Sequence, residues 1–339
     1  MINQVYQLIA PRQIGITFDE VSTQTEKIIV RPTYLSICAA DQRYYTGKRD
    51  PEALRKKLPM ALIHEATGVV VRDARGEFKP GEKVLLVPNT PSVHDNYISE
   101  NYLSTSRFRA SGFDGFMQEY VFMDRDRLVR CGQILPEVAS VCELVSVAMH
   151  SVNTFMAGSH GRREHIGVWG DGNLGYVTSL MLTKLLPEAK ISVFGIDPYK
   201  LNFFSFADSA CHIDDVPADL HIDHAFECVG GQASESAIEQ IIDHINPEGT
   251  VMLMGVSESN VPIKTRMMLE KGLRFIGRSR SGKQDFIDTA RYLERYPDLQ
   301  SRIKKIIREV IPVSNIAEIS GAFEEDLTQA FKTVMKWNV

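Results

Sequence analysis

Cysteine is scarce in this chain: Cys38, Cys131, Cys142, Cys211 and Cys228 form no C-x-x-C pair in 339 residues. An odd, scattered set excludes a disulfide framework and predicts reduced thiols in a cytoplasm. No apolar run of about 18 residues occurs, so no membrane-spanning helix is expected. Residues 1–8 lack a basic stretch leading into an apolar one, which argues against a secretory leader. Basic charge is not in excess either. The formal net charge is -5 and no long basic tract is present, so nucleic acid is not an expected partner. Internal repeats and low-complexity segments are missing too. What remains is 44% hydrophobic and 24% charged residues, enough for a large core divided between two domains.

The first 145 or so residues read as short strands broken by turns, as in the apolar or β-branched runs at 27–32, 66–72 and 83–88. From about residue 146 the rhythm becomes strand, turn, helix. His165-Ile166-Gly167-Val168-Trp169 ends at a glycine, after which Leu174, Val177, Leu180, Met181 and Leu185 recur at helical spacing. Strand-like runs follow at 191–194, 224–228 and 250–255, with a helical stretch at 236–244 between the last two. This alternation predicts an α/β fold with a doubly wound parallel sheet. From about Asp285 the chain mixes two amphipathic helices with the strand-like 308–312 run, which needs the N-terminal sheet to pack on. The expected division is therefore 1–145, 146–284 and 285–339, the third segment returning to the first.

Three patterns carry chemistry. Gly170-Asp171-Gly172-Asn173-Leu174-Gly175 is a G-x-G-x-x-G fingerprint at a strand-to-helix turn, where glycines let backbone and helix N-terminus approach a pyrophosphate. The second strand should end near Gly195. The absence of a side chain there, with Lys200 beyond, favours NADP(H), whereas a register two residues later makes Asp197 a ligand for the ribose of NAD. Cys38 and the dipeptide His64-Glu65 offer a thiolate, an imidazole and a carboxylate, the donor types of a catalytic Zn²⁺ site with an open position. The plain alternative is a buried cysteine and a satisfied core histidine. Asp41 is spaced to accept the second N–H of a ligand histidine, or to serve at a helix start. Arg43, Lys48 and Arg49 follow the thiol closely, and Arg280 comes after the last nucleotide-domain strand, all of them candidates for binding a phosphate or simply solvated cations.

Taken in order, Cys38-x-x-Asp41, His64-Glu65, the glycine fingerprint, the 223–230 segment and the 249–255 segment resemble the zinc-dependent medium-chain alcohol and polyol dehydrogenases along essentially the whole chain. The resemblance implies a GroES-like β-rich catalytic domain plus a Rossmann domain, with Val229 and Gly255 at the cofactor. It also implies a homodimer. Glu143, in Val141-Cys142-Glu143-Leu144, resembles the zinc-site glutamate of the polyol branch, although Leu144 stands where that branch has proline. A helix-start carboxylate is the other reading of Glu143. Many relatives hold a structural zinc with four cysteines, and the 89–113 segment here has none, so one zinc per chain is expected. Ala40 stands where the family usually has a Ser or Thr hydroxyl that relays a proton. Water, a carboxylate such as Glu65, or a substrate hydroxyl must then serve.

Within the family, residues 37–49 and 204–208 resemble the bacterial ribulose-5-phosphate reductases of the ribitol teichoic-acid pathway. The resemblance implies NADPH-linked reduction of D-ribulose 5-phosphate to D-ribitol 5-phosphate, supplying a cytidylyltransferase that makes CDP-ribitol. The competing expectations are an NAD-linked polyol or threonine-type dehydrogenase acting on an unphosphorylated alcohol, and a cofactor-binding protein without turnover.

Overall fold

A computed structural model describes all residues 1–339. They form two compact units, one made of 1–146 and 281–339 and the other of 147–280. The return to the first unit begins at Ser281, four residues ahead of the expected 285. Ser281 is buried, and its hydroxyl lies 2.7 Å from that of Ser146, so it already belongs to the first unit.

The main sheet of the first unit runs in the order Leu128–Arg130, Lys83–Leu86, Glu65–Arg72, Ile28–Ser36, Lys332–Trp337, Ile307–Val313. Two strands from the C-terminal return thus extend a sheet begun by the N-terminal residues. Ser36 pairs with Glu65 on one side and with Val334 on the other. Lys332, two residues from Val334, shares its face because side chains alternate along a strand. This register is what brings residues 36–38, 65 and 332 to one end of the sheet. Its core is apolar, with Leu35, Ile37, Ile63, Phe116, Phe323 and Trp337 in one cluster.

The C-terminal return holds three helices, Lys283–Arg295, Pro297–Lys305 and Ile316–Asp326, rather than the two expected. Pro297 has no N–H to continue the preceding helix, and Tyr296 before it leaves the helical region at φ -124° and ψ 84°, so one amphipathic stretch becomes two helices.

The second unit is a six-stranded sheet in the order Ser209–His212, Lys190–Gly195, His165–Trp169, Ile222–Glu227, Ile245–Leu253, Arg274–Gly277. Every pairing is parallel. Numbered along the chain, this is the 3-2-1-4-5-6 order of a doubly wound dinucleotide fold. No helix of the chain is long and apolar enough to cross a membrane.

An ion pair pins one turn of the first unit. Asp73, half-buried with its side chain shielded from solvent, accepts from Arg125 Nη1 at 2.6 Å and Nη2 at 2.7 Å, and from the backbone N–H groups of Arg75 and Phe78. The guanidinium, more than the backbone donors, holds this carboxyl well below the usual range. A depressed folded-state pKa gives stability that is present above the unfolded value of about 4 and lost as pH falls through the folded one. Asp73→Asn is therefore expected to lower stability by about 2–3 kcal/mol at pH 7. In denaturant titrations, the gap to the parent chain should narrow below about pH 4. A gap that stays constant from pH 7 to pH 3 would contradict this role.

Candidate active site

Cys38 is the N-cap of the helix Ala39–Tyr45, immediately after the strand Ile28–Ser36. The turn is held by Asp41, whose Oδ2 accepts from Cys38 N at 3.1 Å and whose Oδ1 accepts from Ile63 N at 3.0 Å. One carboxylate thereby fixes the segment that bears the thiol to the segment that bears the imidazole. His64 Nδ1 faces Asp41 Oδ1 at 3.7 Å, beyond hydrogen-bond length, so the acceptor role expected for Asp41 is taken up by two backbone N–H groups. With Nδ1 turned to Asp41, Nε2 is the nitrogen left for a metal. Burial lowers the pKa of the imidazole, but the neighbouring Asp41 carboxylate, with help from Cys38, outweighs it and holds His64 well above the usual range.

The donor atoms of Cys38, His64 and Glu65 all lie within 4.8 Å of one another, with His64 and Glu65 buried and Cys38 half-buried. A tetrahedral zinc ion with bonds of about 2.0–2.3 Å sets donor separations of about 3.5 Å, so this set fits zinc with small rotations of the side chains. Glu143 opens the helix Cys142–Gly158 and is buried. It is not one of the three converging donors, yet it feels their charge. Burial pushes its carboxyl up to about 7, with His64 and Lys332 lowering it and Glu65 and Asp41 raising it.

The motifs did not reveal Lys332. Its Nζ, on the strand Lys332–Trp337, donates to Glu65 Oε1 at 2.6 Å, Glu65 Oε2 at 2.8 Å and the Ile37 carbonyl at 3.0 Å. All three ammonium protons are used. Glu65 is thus an ion-paired carboxylate with its remaining lone pairs toward the other donors. A buried lysine 267 residues away in sequence leaves no local signal. Glu100 was equally invisible. It organises the cysteine-free 89–113 segment, accepting from Arg127 Nη1 at 2.8 Å and Nη2 at 3.2 Å and from Lys283 N at 2.7 Å. That segment carries Phe108, whose ring centroid lies 5.3 Å from that of His64.

In the second unit, Gly170 has φ +123°, a conformation that favours glycine, and a Cβ there would lie 2.9 Å from Cys228 backbone. A Cβ at Gly175 would fall 1.8 Å from the Gly170 carbonyl oxygen, whereas one at Gly172 would meet nothing within 4 Å. The first and third glycines close the turn, and the second leaves an open backbone approach at the N-terminus of the helix Asn173–Leu185. Asn173 and Leu174 open that helix.

A Cβ at Gly195 would lie 2.5 Å from Asp171, so the missing side chain makes room for the Asp171 carboxylate. Asp171 Oδ2 accepts from Ile196 N and Asp197 N, each at 2.7 Å, so its carboxylate braces the next turn. Asp197 caps the short helix that follows, accepting from Tyr199 N and Lys200 N.

Glu227, at the end of the strand Ile222–Glu227, is a further residue that the motifs did not single out. Its Oε1 accepts from Val229 N at 2.8 Å, Gly230 N at 3.0 Å and Ser234 Oγ at 3.0 Å, and its Oε2 accepts from Gly255 N at 3.1 Å. Among the cations expected at a phosphate, Arg49 sits 4.8 Å over the Tyr44 ring, Arg43 lies in the last turn of the Ala39–Tyr45 helix, and Lys48 and Arg280 are exposed.

Known proteins place this architecture. The alcohol dehydrogenase GroES-like domain model matches residues 24–135. The chain is 52% identical to the ribulose-5-phosphate reductase of Bacillus spizizenii, over 100% of both chains. This chain belongs to the ribulose-5-phosphate reductase family of medium-chain dehydrogenases. It is likewise 52% identical to ribulose-5-phosphate reductase 2 of Staphylococcus aureus, again over 100% of both. The crystal structure of TarJ from Staphylococcus aureus in complex with NADPH superposes with a TM-score of 0.90 at 46% identity, covering 100% of both chains.

Proposed function

We propose that this chain reduces D-ribulose 5-phosphate to D-ribitol 5-phosphate with NADPH, supplying a cytidylyltransferase that makes CDP-ribitol for teichoic acid. The observation that carries this reading is the full-length 52% identity to a ribulose-5-phosphate reductase in a chain whose Cys38, His64 and Glu65 donors converge. Cys38 through Sγ, His64 through Nε2 and Glu65 through a carboxylate oxygen would hold one zinc ion. Zinc, when bound, acts as a Lewis acid that stabilises charge developing on a carbonyl oxygen. NADPH supplies the hydride that reduces C2 of the ketose, becoming NADP⁺, and one proton completes the alcohol. The Gly170–Gly172–Gly175 turn takes the pyrophosphate, and the 228–231 and 254–256 loops take the nicotinamide half.

Proton delivery falls to Glu143. With Ala40 offering no hydroxyl and Glu65 paired to Lys332, Glu143 is the buried carboxyl left beside the converging donors to carry it. Arg43, Lys48, Arg49 and Arg280 are the cations assigned to the substrate phosphate. The outer strand Arg274–Gly277 pairs on one side only, which leaves a backbone edge for the homodimer.

Purified protein is expected to hold about one zinc per chain and to oxidise NADPH with D-ribulose 5-phosphate at least about 100-fold more efficiently than with ribulose, a factor within reach of charge-assisted phosphate contacts. Equal turnover of ribulose, or a preference for NADH, would favour instead a polyol dehydrogenase with Asp197 on the ribose.

A further inference from the structure

We infer that Glu227 is a positioning residue for the nicotinamide half of the cofactor, holding two loops in a binding-ready shape; the inference rests on the NADPH reading above. In a 3-2-1-4-5-6 sheet, the two mononucleotide halves of a dinucleotide lie on opposite sides of the first strand, each at the carboxyl ends of its own strands. Strand His165–Trp169 is the first strand here, and Ile222–Glu227 and Ile245–Leu253 are the fourth and fifth. Glu227 is the last residue of the fourth strand and is 1% exposed.

Its carboxylate ties the loops after both strands. Oε1 takes the N–H groups of Val229 and Gly230 and the Ser234 hydroxyl, while Oε2 reaches across to Gly255 N. Three backbone N–H groups converging on one point make a concave, electropositive nest of the kind that binds anions. Here the chain fills the nest with its own carboxylate.

The surrounding backbone is built around that choice. A Cβ at Gly255 would lie 2.3 Å from Gly230 N and 2.5 Å from Glu227 Oε1. Gly230 and Gly231 have φ of +75° and +65°, and Gly231 N donates to the Val256 carbonyl at 3.0 Å. The two loops are thereby knitted together, and Cys228, between Glu227 and Val229, packs against Gly170 of the pyrophosphate turn.

Glutamine at 227 keeps size and shape but has one acceptor oxygen. If that oxygen serves Val229, Gly230 and Ser234, the amide NH₂ faces Gly255 N, donor against donor, and the 254–256 loop keeps its main-chain bonds to the Glu227 carbonyl but loses its side-chain tether. The adenosine side, built by the Gly170–Gly175 turn and the second strand, is left intact.

The test measures affinity for two ligands by titration calorimetry, on the full chain. Adenosine 2′,5′-bisphosphate reports on the adenosine half alone, and NADPH reports on both halves. Glu227→Gln is expected to weaken NADPH about tenfold or more and to leave adenosine 2′,5′-bisphosphate within about twofold, the size of one buried donor left unmatched. Ser234→Ala, which removes one donor and keeps the carboxylate, is expected to fold normally and to show the same split at about two- to fivefold. Parallel weakening of both ligands, or no change in either, would overturn the inference for whichever variant folds. A parent chain that binds neither ligand overturns the NADPH reading itself, and this inference with it.

Discussion

Cys38→Ala is expected to strip the chain of zinc and to reduce NADPH-dependent turnover of D-ribulose 5-phosphate by at least about 1,000-fold, equivalent to about 4 kcal/mol of lost transition-state stabilisation. The thiolate is the one soft, anionic donor in the converging set, and alanine offers no lone pair in its place. The fold should survive. Cys38 caps its helix through the main chain, with the backbone N donating to Asp41 and its carbonyl accepting from Gln42 N at 3.0 Å, and neither contact needs the sulfur. The expected result is therefore a variant with the melting midpoint of the metal-free parent and the parent affinity for NADPH, but with less than about a tenth of the zinc. Metal analysis, calorimetry and the turnover assay report these separately. Full activity in Cys38→Ala would sink the assignment.

Lys332→Met should act in the opposite way, through stability before chemistry. Lys332 is 3% exposed and Glu65 is fully buried, so methionine leaves a carboxylate in the core without its cation and without two charge-assisted hydrogen bonds. Breaking a buried pair from one side costs about 3–5 kcal/mol, which for a unit of this size lowers the melting midpoint by on the order of 10 °C. The double variant Lys332→Met with Glu65→Gln removes the stranded charge and is expected to regain more than half of that loss. A single variant melting within about 2 °C of the parent would show that the pair contributes little.

These two residues also mark the limit of what was legible in the sequence. Cys38, Asp41, His64 and Glu65 lie within 28 consecutive positions, on a turn and a strand start that local patterning exposes, and the glycine fingerprint sits inside a single strand-turn-helix unit. Their types and spacing therefore suggested the chemistry. Lys332 and Glu227 act through partners set by strand register, and one buried lysine in a β-branched run reads as an ordinary strand residue. The strand end at Gly195 was legible, but the side chain that packs against it comes from a neighbouring turn, and Asp171 fills that place. The third C-terminal helix came down to backbone angles at Tyr296, where propensity favoured continuation until the proline.

The Glu65–Lys332 pair has a consequence for biosynthesis. A nascent chain that has passed residue 65 must wait for 267 further residues before the ammonium exists to neutralise that acid. At roughly 5–20 residues per second this is an interval of about 13–50 s. For most of it the first half of the sheet lacks both of its returning strands, while residues 147–280 can complete their own compact unit. The middle of this protein is thus able to mature before its beginning.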